Sequence, residues 1–171
     1  MIILGIDPGK NGKAIVLNTE KNKSISIYSF DFDACNILDA KNYITFIQHN
    51  NVDCIFLEKV MGRGGASWGA TNNFNFGMIY GQILLATKMA QKPMILITPQ
   101  TWQKIIHKGI PTSLGAKEKT LAAYQNLFPH DPLPKTPRSK KTDNNLIDAL
   151  MIALYGVLKN NGHIKKWELL C

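Results

Sequence analysis

Residues 1–18 read MIILGIDPGKNGKAIVLN, a short apolar run that ends on the acid Asp7 directly before Pro8-Gly9. The apolar run predicts a strand over Ile2–Asp7, the Gly-rich segment 9–12 a tight turn, and Lys13–Asn18 the partner strand of a hairpin. A third strand is predicted over 24–30, so the chain opens with an antiparallel sheet. A buried strand that ends on a carboxylate requires a reason, and the later segments of the chain supply candidates for it.

Helices and strands alternate after this opening. Apolar residues at helical spacing predict a helix over 39–50, and the near-continuous apolar run 52–58 predicts a strand that is covered on both faces. Several Gly and Asn residues predict a loop over 62–73. Further elements follow: a helix over 74–90, a strand over Met94–Ile97, and helices over 100–107, 117–127 and 142–159. We predict an α/β fold of the ribonuclease-H-like class, with a five-stranded mixed sheet flanked by helices.

The composition is that of a basic protein with the size of one domain. Its 171 residues are 45% hydrophobic, so we predict a single domain over 1–171 with about 160–171 as a peripheral tail. The formal charge of +8 favours a polyanionic partner. The chain has an odd number of cysteines and no CxxC pair: Cys35, Cys54 and Cys171. This pattern argues against a disulfide framework or a zinc site and favours a reducing, cytoplasmic location. No apolar run approaches the ~18 residues that a membrane span requires.

Three acids fall on elements that are otherwise apolar. Asp7 and Glu58 end two strands that can lie side by side in a parallel arrangement, so their carboxylates can meet at one edge of the sheet. Asp148 is embedded in an apolar helix, and the cost of burying an unpaired charge directs it to a partner, a metal or water. Carboxylates held together raise each other's pKa unless a hard divalent cation neutralises them. The pattern therefore predicts a site for a hard divalent cation.

Each acid also has a simpler explanation when it is taken alone. Asp7 before Pro-Gly could be a turn residue whose side chain accepts a hydrogen bond from the nearby backbone. Glu58 could be a solvated strand end, and Asp148 could pair with Lys140 or Lys141. Three independent coincidences at one sheet edge explain the pattern less well than one shared site does.

Four segments in this order resemble the Holliday-junction resolvases of the RuvC type, especially their shorter phage and bacterial forms. They are LGIDPG at 4–9, FLEKV at 56–60, LGAKEKT at 114–120 and DNNLIDALMIALYG at 143–156, and together they cover nearly the whole chain. The resemblance implies a homodimeric, Mg²⁺-dependent endonuclease that cuts four-way DNA junctions in pairs and leaves 5′-phosphate and 3′-hydroxyl ends. It implies about two Mg²⁺ ions per site, with Mn²⁺ able to substitute. It leaves open the preferred cleavage sequence, a phage or chromosomal role, and any branch-migration partner.

The resemblance also assigns roles to individual residues. Asp7, Glu58 and Asp148 match the family's catalytic acids, which bind the metal. Lys119 matches a lysine that lies near the scissile phosphate, where its charge can offset the negative charge that develops, and Lys117 is an alternative.

The fourth acid of the family is where this sequence differs. The family usually places an Asp three residues before the helix acid, whereas this chain has Asn145 there. Asp143, five residues before Asp148, can serve as the fourth metal ligand if it lies at the start of the helix. It could instead be only the N-cap of that helix, and Asn145 could offer a carbonyl oxygen to the metal.

Basic and aromatic side chains near the predicted edge are candidates for DNA contact. We expect phosphate contacts or stacking from these residues: Lys10, Arg63, Trp68, Lys117, Lys119, Lys140 and Lys141. Either Trp68 or Phe74 could stack on an unpaired base, although Trp68 could also be a packing anchor. In the family, the counterpart of the apolar helix 74–86 forms the dimer interface, whereas without the resemblance this segment is typical of core.

Other functions are compatible with the same acids on the same fold. One is a ribonuclease H or a less selective nuclease of branched DNA. Another, suggested by the Asn at position 145, is a non-catalytic relative that binds junctions without cutting them. These alternatives differ in the nucleic acid that is bound or cut, which gives a direct way to separate them.

Overall fold

The computed structural model describes residues 1–19, 24–60, 69–129, 133 and 143–160. Within these ranges the strands and helices follow the order that the sequence predicts. They are β1 (Ile2–Asp7), β2 (Lys13–Asn18), β3 (Ser24–Ser29), α1 (Ala40–His49), β4 (Cys54–Glu58), α2 (Ala70–Met89), β5 (Met94–Ile97), α3 (Pro99–Ile106), α4 (Ala116–Leu127) and α5 (Asn144–Asn160).

The five strands form one mixed sheet with the order β3-β2-β1-β4-β5. β1 pairs with β2, and β2 with β3, in antiparallel register. β1 and β4 are parallel neighbours, and β5 continues the sheet in parallel beyond β4. The five-stranded mixed sheet flanked by helices is therefore confirmed, together with the adjacency of the two strands that end on acids.

Both faces of the sheet are covered, because successive strand side chains point to opposite sides. Ile3, Ile15 and Phe56 pack into a core cluster with residues of α3, α4 and α5. Leu4, Val16 and Leu57 pack into a second cluster with residues of α1 and α2. This alternation explains the near-continuous apolar strands, since neither face of the central strands is left to solvent.

Helix α5 lies directly on the central strand, and glycines make this approach possible. A Cβ atom added at Gly5 would lie 2.3 Å from the carbonyl oxygen of Ala149 and 2.3 Å from the backbone nitrogen of Ala153. On the helix side, a Cβ at Gly156 would lie 2.5 Å from the Phe56 ring. Any side chain at position 5 would push α5 off β1.

The start of α2 differs from the sequence prediction by four residues, whereas the other helix and strand boundaries, including the start of α5, lie within two residues of their predicted positions. The loop predicted over 62–73 is too long, because α2 already begins at Ala70, where the backbone nitrogens of Asn72 and Asn73 donate to the carbonyl oxygen of Gly69. The Asn-rich start is thus the first helical turn. Helix α5 begins at Asn144 instead of 142, because Asp143 is its N-cap.

Two further expectations concern the extent of the domain and membrane-spanning helices. Residues 161–171, which contain most of the predicted tail, lie outside the described residues, so the single-domain prediction over 1–171 stays a prediction. In the described ranges, no helix combines the length and the apolar character that crossing a membrane would need.

Replacing Gly5 with alanine tests how strictly α5 is seated on β1. The added methyl group would overlap backbone atoms, which cannot rotate away, so we expect Gly5→Ala to lower the free energy of unfolding by about 3 kcal/mol or more. Gly115→Ala is the matched control, because a Cβ there meets Glu118 Oε2 at an ordinary 3.4 Å, and should cost less than about 1 kcal/mol. Urea unfolding measures both, and equal effects would contradict the close packing.

Candidate active site

Asp7 and Glu58 end adjacent strands at the same edge of the sheet. Ile6 lies opposite Leu57 in the parallel β1–β4 register, so the next residues of the two strands, Asp7 and Glu58, are neighbours. Side chains two residues apart on a strand point to the same face. Gly5 and Phe56, two residues before Asp7 and Glu58, face α5, so the two acids face it as well. The two carboxylates therefore occupy the carboxyl edge of the sheet on the side covered by α5.

Helix α5 brings two more acids to this edge. Ala149 lies over Gly5, which places the preceding residue, Asp148, one helical step from the strand that carries Asp7. Asp143 stands immediately before the helix begins. The charges of Asp148 and Asp143 both act on the Asp7 carboxyl group, as does the charge of Glu58. The structure thus places the four sequence-predicted acids in one electrostatic group.

The carboxyl pKa values show what this grouping costs. The pKa of Asp7 is raised well above its usual range, first by burial and then by the charges of Glu58, Asp148 and Asp143. The pKa of Asp148 is raised to about 6, first by burial and then by Glu58. The ammonium group of Lys117 opposes both shifts. Burial and the neighbouring charges therefore disfavour the ionised forms of Asp7 and Asp148.

Two polar residues fix the start of α5 beside the cluster. The Asp143 side chain caps the helix, because its Oδ1 accepts a hydrogen bond of 3.0 Å from the backbone nitrogen of Asn145. The Asn145 side-chain nitrogen donates across the fold to the carbonyl oxygen of Asn11, at 2.8 Å. An ionised aspartate at position 145 could not donate this bond, so it is the amide of Asn145 that ties α5 to the β1–β2 turn.

The two candidate lysines of α4 lie in different surroundings. Lys117 is the lysine whose charge acts on both Asp7 and Asp148, and it lines a narrow crevice together with Asp148 and Thr120. The charge of Lys119 acts on His107, whose pKa is lowered, first by burial and then by this lysine. The structure thus brings Lys117 to the acids, whereas the expected role of Lys119 stays a prediction.

The remaining candidates for DNA contact divide into two groups. The ammonium group of Lys10, on the β1–β2 turn, donates to Asn36 Oδ1 at 2.7 Å, which fixes it beside the loop that follows β3. The others lie outside the described residues: Arg63, Trp68, Lys140 and Lys141. The alternative pairing of Asp148 with Lys140 or Lys141 lies outside them as well.

One residue of this site was not identified from the sequence. The indole nitrogen of Trp102 donates a hydrogen bond of 2.8 Å to Glu58 Oε1. A tryptophan in an amphipathic helix is typical of core, and no local pattern showed that its nitrogen would reach a strand-end acid 44 residues away. Beside Glu58 a cleft of about 220 Å³ opens between the first turns of α2 and α3, where Phe76, Thr98 and Gln100 line it.

Asp148→Asn should stabilise the chain in the presence of EDTA. In the folded chain this carboxyl stays protonated until about pH 6 instead of its ordinary 3.8, so its contribution to stability is present below 3.8 and is lost as the pH rises through about 6. The shift corresponds to at most about 3 kcal/mol. Thermal unfolding should show the variant above the wild type at about pH 7.5, with a gap that shrinks toward about pH 4. A less stable variant at neutral pH would contradict the buried-charge description.

The chain is similar in structure to solved Holliday-junction resolvases. No family model matches it, and no curated protein matches it in sequence. RuvC of Thermus thermophilus in complex with a Holliday-junction substrate aligns with a TM-score of 0.62 at 16% identity, over 94% of this chain and 96% of that chain. The fowlpox virus Holliday-junction resolvase aligns with a TM-score of 0.54 at 13% identity, over 93% and 99%.

A third neighbour is the yeast mitochondrial Holliday-junction resolvase Ydc2, with a TM-score of 0.54 at 13% identity over 99% of this chain and 82% of that chain. These proteins share little sequence with the chain but nearly its whole architecture. The chain therefore has the ribonuclease-H-like fold of RuvC and of other Holliday-junction resolvases.

Proposed function

We propose that this chain is a structure-selective endodeoxyribonuclease that resolves four-way DNA junctions by paired phosphodiester hydrolysis. The observation that supports it is the group of Asp7, Glu58 and Asp148 at one sheet edge, in the fold of the junction resolvases. The formal charge of +8 is consistent with a DNA substrate. The products would carry 5′-phosphate and 3′-hydroxyl ends.

The donor set of the site fits a hard divalent cation. All four acids offer carboxylate oxygens, and the pKa of Asp7 is raised first by burial and then by the charges of the other three acids, which a bound cation would offset. Among the described residues, no three His, Cys, Asp or Glu side chains are grouped closely enough to hold an ion as they stand. Unscreened like charges repel one another, so we expect the carboxylates to draw together when an ion binds. Mg²⁺ is the expected ion, about two per site, with Mn²⁺ able to substitute.

Asp7, Glu58 and Asp148 would hold the metal, and Asp143 is the proposed fourth ligand. Bound Mg²⁺ supplies Lewis-acid stabilisation of the phosphate and acidifies a water molecule. Asp143 adds negative charge near Asp7 while its Oδ1 caps α5, so it can serve both purposes. The amide nitrogen of Asn145 is the tether to Asn11, so only its carbonyl oxygen could serve as an alternative, uncharged ligand.

The chain's own cations would act on the DNA. Lys117 stands beside the acids, where its ammonium group can bind the phosphate to be cut and offset the charge that develops on it. Lys119, two residues along α4, is the other candidate for this phosphate, and Lys10, on the β1–β2 turn, is proposed to hold a flanking phosphate. The same role is proposed for Arg63, Lys140 and Lys141, with Trp68 as a stacking residue. Such contacts would orient the junction without reading its sequence.

Helix α2 is the proposed dimer interface. Its buried face includes Ile79 and Ile83, yet its opposite face is also apolar, with Phe74 71%, Leu85 61% and Met89 60% exposed. Gly77 and Gly81 lie along this outer face, and a Cβ added at either would meet nothing within 4 Å. An exposed apolar stripe with two glycines allows a second α2 helix to pack closely against it. Two copies would then present two active sites to the opposite arms of one junction.

Asp7→Asn should abolish cleavage and leave junction binding intact. The amide keeps the shape of the side chain but removes the charge at the centre of the acid group, so we expect a loss of at least ~1000-fold, or about 4 kcal/mol of transition-state stabilisation. Cleavage and gel-shift assays on one preparation, with Mg²⁺ and a four-way junction, measure both quantities. Residual cleavage within about tenfold of the wild-type rate would exclude Asp7 as a metal ligand.

Asp53→Asn is the matched control for this variant. Asp53 lies at the opposite end of the same two strands, where its Oδ2 accepts a hydrogen bond of 2.7 Å from the backbone nitrogen of Ile2. The Asp53→Asn variant should cut junctions within about twofold of the wild-type rate, since it removes the same charge far from the site.

The wild-type chain is also tested on a nicked duplex and on an RNA–DNA hybrid. Preference for the hybrid would indicate a ribonuclease H, and binding without cleavage a non-catalytic relative.

The outer face of α2 predicts a dimer. Light scattering at micromolar concentration should give a mass of ~38 kDa, twice the 19.1 kDa of one chain. Leu85→Glu should yield the monomer without loss of thermal stability, because it places a charge on the outer stripe. Ile37→Glu changes an apolar residue that is 52% exposed but off α2, and it should stay dimeric. A wild-type monomer that still makes both cuts of a junction in one encounter would contradict the interface.

A further inference from the structure

The hydrogen bond between Trp102 and Glu58 joins a buried aromatic residue to the acid group. The indole nitrogen donates to Glu58 Oε1 at 2.8 Å, while the Trp102 side chain as a whole is only 1% exposed. An indole N–H is a donor only and does not ionise at any physiological pH. It can therefore hold a carboxylate in place without neutralising its charge, which a lysine or an arginine at this position would do.

The backbone explains why the indole reaches this acid. Glu58 lies opposite Ile97 in the β4–β5 register, and α3 begins two residues after Ile97, at Pro99. The Thr98 side chain accepts a hydrogen bond from the backbone nitrogen of Thr101, and Pro99 occupies the first turn. These features set the direction of α3 as it leaves the sheet, and they place Trp102 one turn into the helix, beside the end of β4.

Packing holds the indole in one orientation. Trp102 belongs to the core cluster that also contains Ile97, Ile106 and Tyr124. The His107 ring meets it edge-on, with centroids 5.9 Å apart and an interplanar angle of 74°. His107 is in turn hydrogen-bonded through Nε2 to Thr120 Oγ1, at 2.9 Å, which links the end of α3 to α4. The donor is thus fixed by its surroundings before any ligand arrives.

We propose that Trp102 is a positioning residue for Glu58, which fixes the orientation of this carboxylate so that it faces the other acids of the site. The inference rests on the proposed function, because it assumes that Glu58 serves as a metal ligand. Hydrogen-bond donors behind a ligand carboxylate restrict its rotation, and their loss typically lowers metal affinity by about 10- to 100-fold. Trp102 itself touches neither metal nor DNA in this account.

The alternative is that Trp102 is only a core residue whose nitrogen happens to be satisfied by Glu58. Trp102→Phe separates the two explanations, because it keeps an aromatic ring in the core and removes the donor. If Trp102 positions Glu58, the variant should bind Mn²⁺ about 10-fold more weakly than the wild type in calorimetry on the DNA-free protein. It should also need about 10-fold more Mg²⁺ for half-maximal cleavage, while its junction affinity in EDTA is unchanged.

Two further variants control for packing and for the route of the effect. Tyr124→Phe removes another hydrogen bond from the same core cluster, the one from the Leu133 backbone nitrogen at 2.6 Å, and should change stability but not Mn²⁺ affinity. In a Glu58→Gln background, Trp102→Phe should change Mn²⁺ affinity by less than about twofold, because the residue acts through Glu58.

The outcomes distinguish failure of the inference from failure of the proposed function. Wild-type Mn²⁺ affinity in Trp102→Phe, with or without a loss of stability, would overturn the positioning role and leave the nuclease proposal in place. Weaker Mn²⁺ binding by the variant, in a protein that cuts no junction, would support the positioning role and overturn the nuclease proposal. A wild-type chain that binds no Mn²⁺ would overturn both.

Discussion

The direct contact between the backbone of α5 and strand β1 is the constraint on which the site depends. At Gly5 the helix approaches so closely that a methyl group would overlap Ala149 and Ala153. This contact fixes how far α5 lies from the strand that ends on Asp7, and therefore how far Asp148 lies from that carboxylate. Even one added methyl group at position 5 would move α5 away from β1 and increase the distance between Asp148 and Asp7, because a close-packed interior cannot absorb the added volume.

The acid group lowers the stability of the folded protein, and uncharged hydrogen-bond donors help to position it. Burial and mutual repulsion raise the pKa of both Asp7 and Asp148, so these carboxylates by themselves oppose folding at neutral pH. Two uncharged donors contribute to its geometry: the indole of Trp102 bonds Glu58, and the amide of Asn145 ties the start of α5 to Asn11. Such donors fix geometry while they preserve the negative charge that a cation would neutralise, which is the arrangement expected of a binding site.

Much of the fold could be predicted from the sequence, because local patterns of apolar and turn residues indicate its strands and helices. Apolar runs bounded by turn residues identified all five strands, and the acids at the ends of Ile2–Asp7 and Cys54–Glu58 indicated a shared edge. The predicted loop over 62–73 extends into α2 because Asn is common in loops, whereas the backbone nitrogens of Asn72 and Asn73 donate to the carbonyl oxygen of Gly69 and form the first helical turn. Trp102 and the tether of Asn145 could not be predicted, since each depends on a contact between residues far apart in the chain.

If the carboxylates at this sheet edge form one cation site, a bound ion should be found among them. Crystals of the protein grown or soaked with Mn²⁺ would show its position by anomalous scattering. We expect an anomalous peak in contact with oxygens of Asp7 and Glu58 and beside Asp148. A well-occupied manganese site elsewhere, with this edge empty at a saturating concentration, would contradict it.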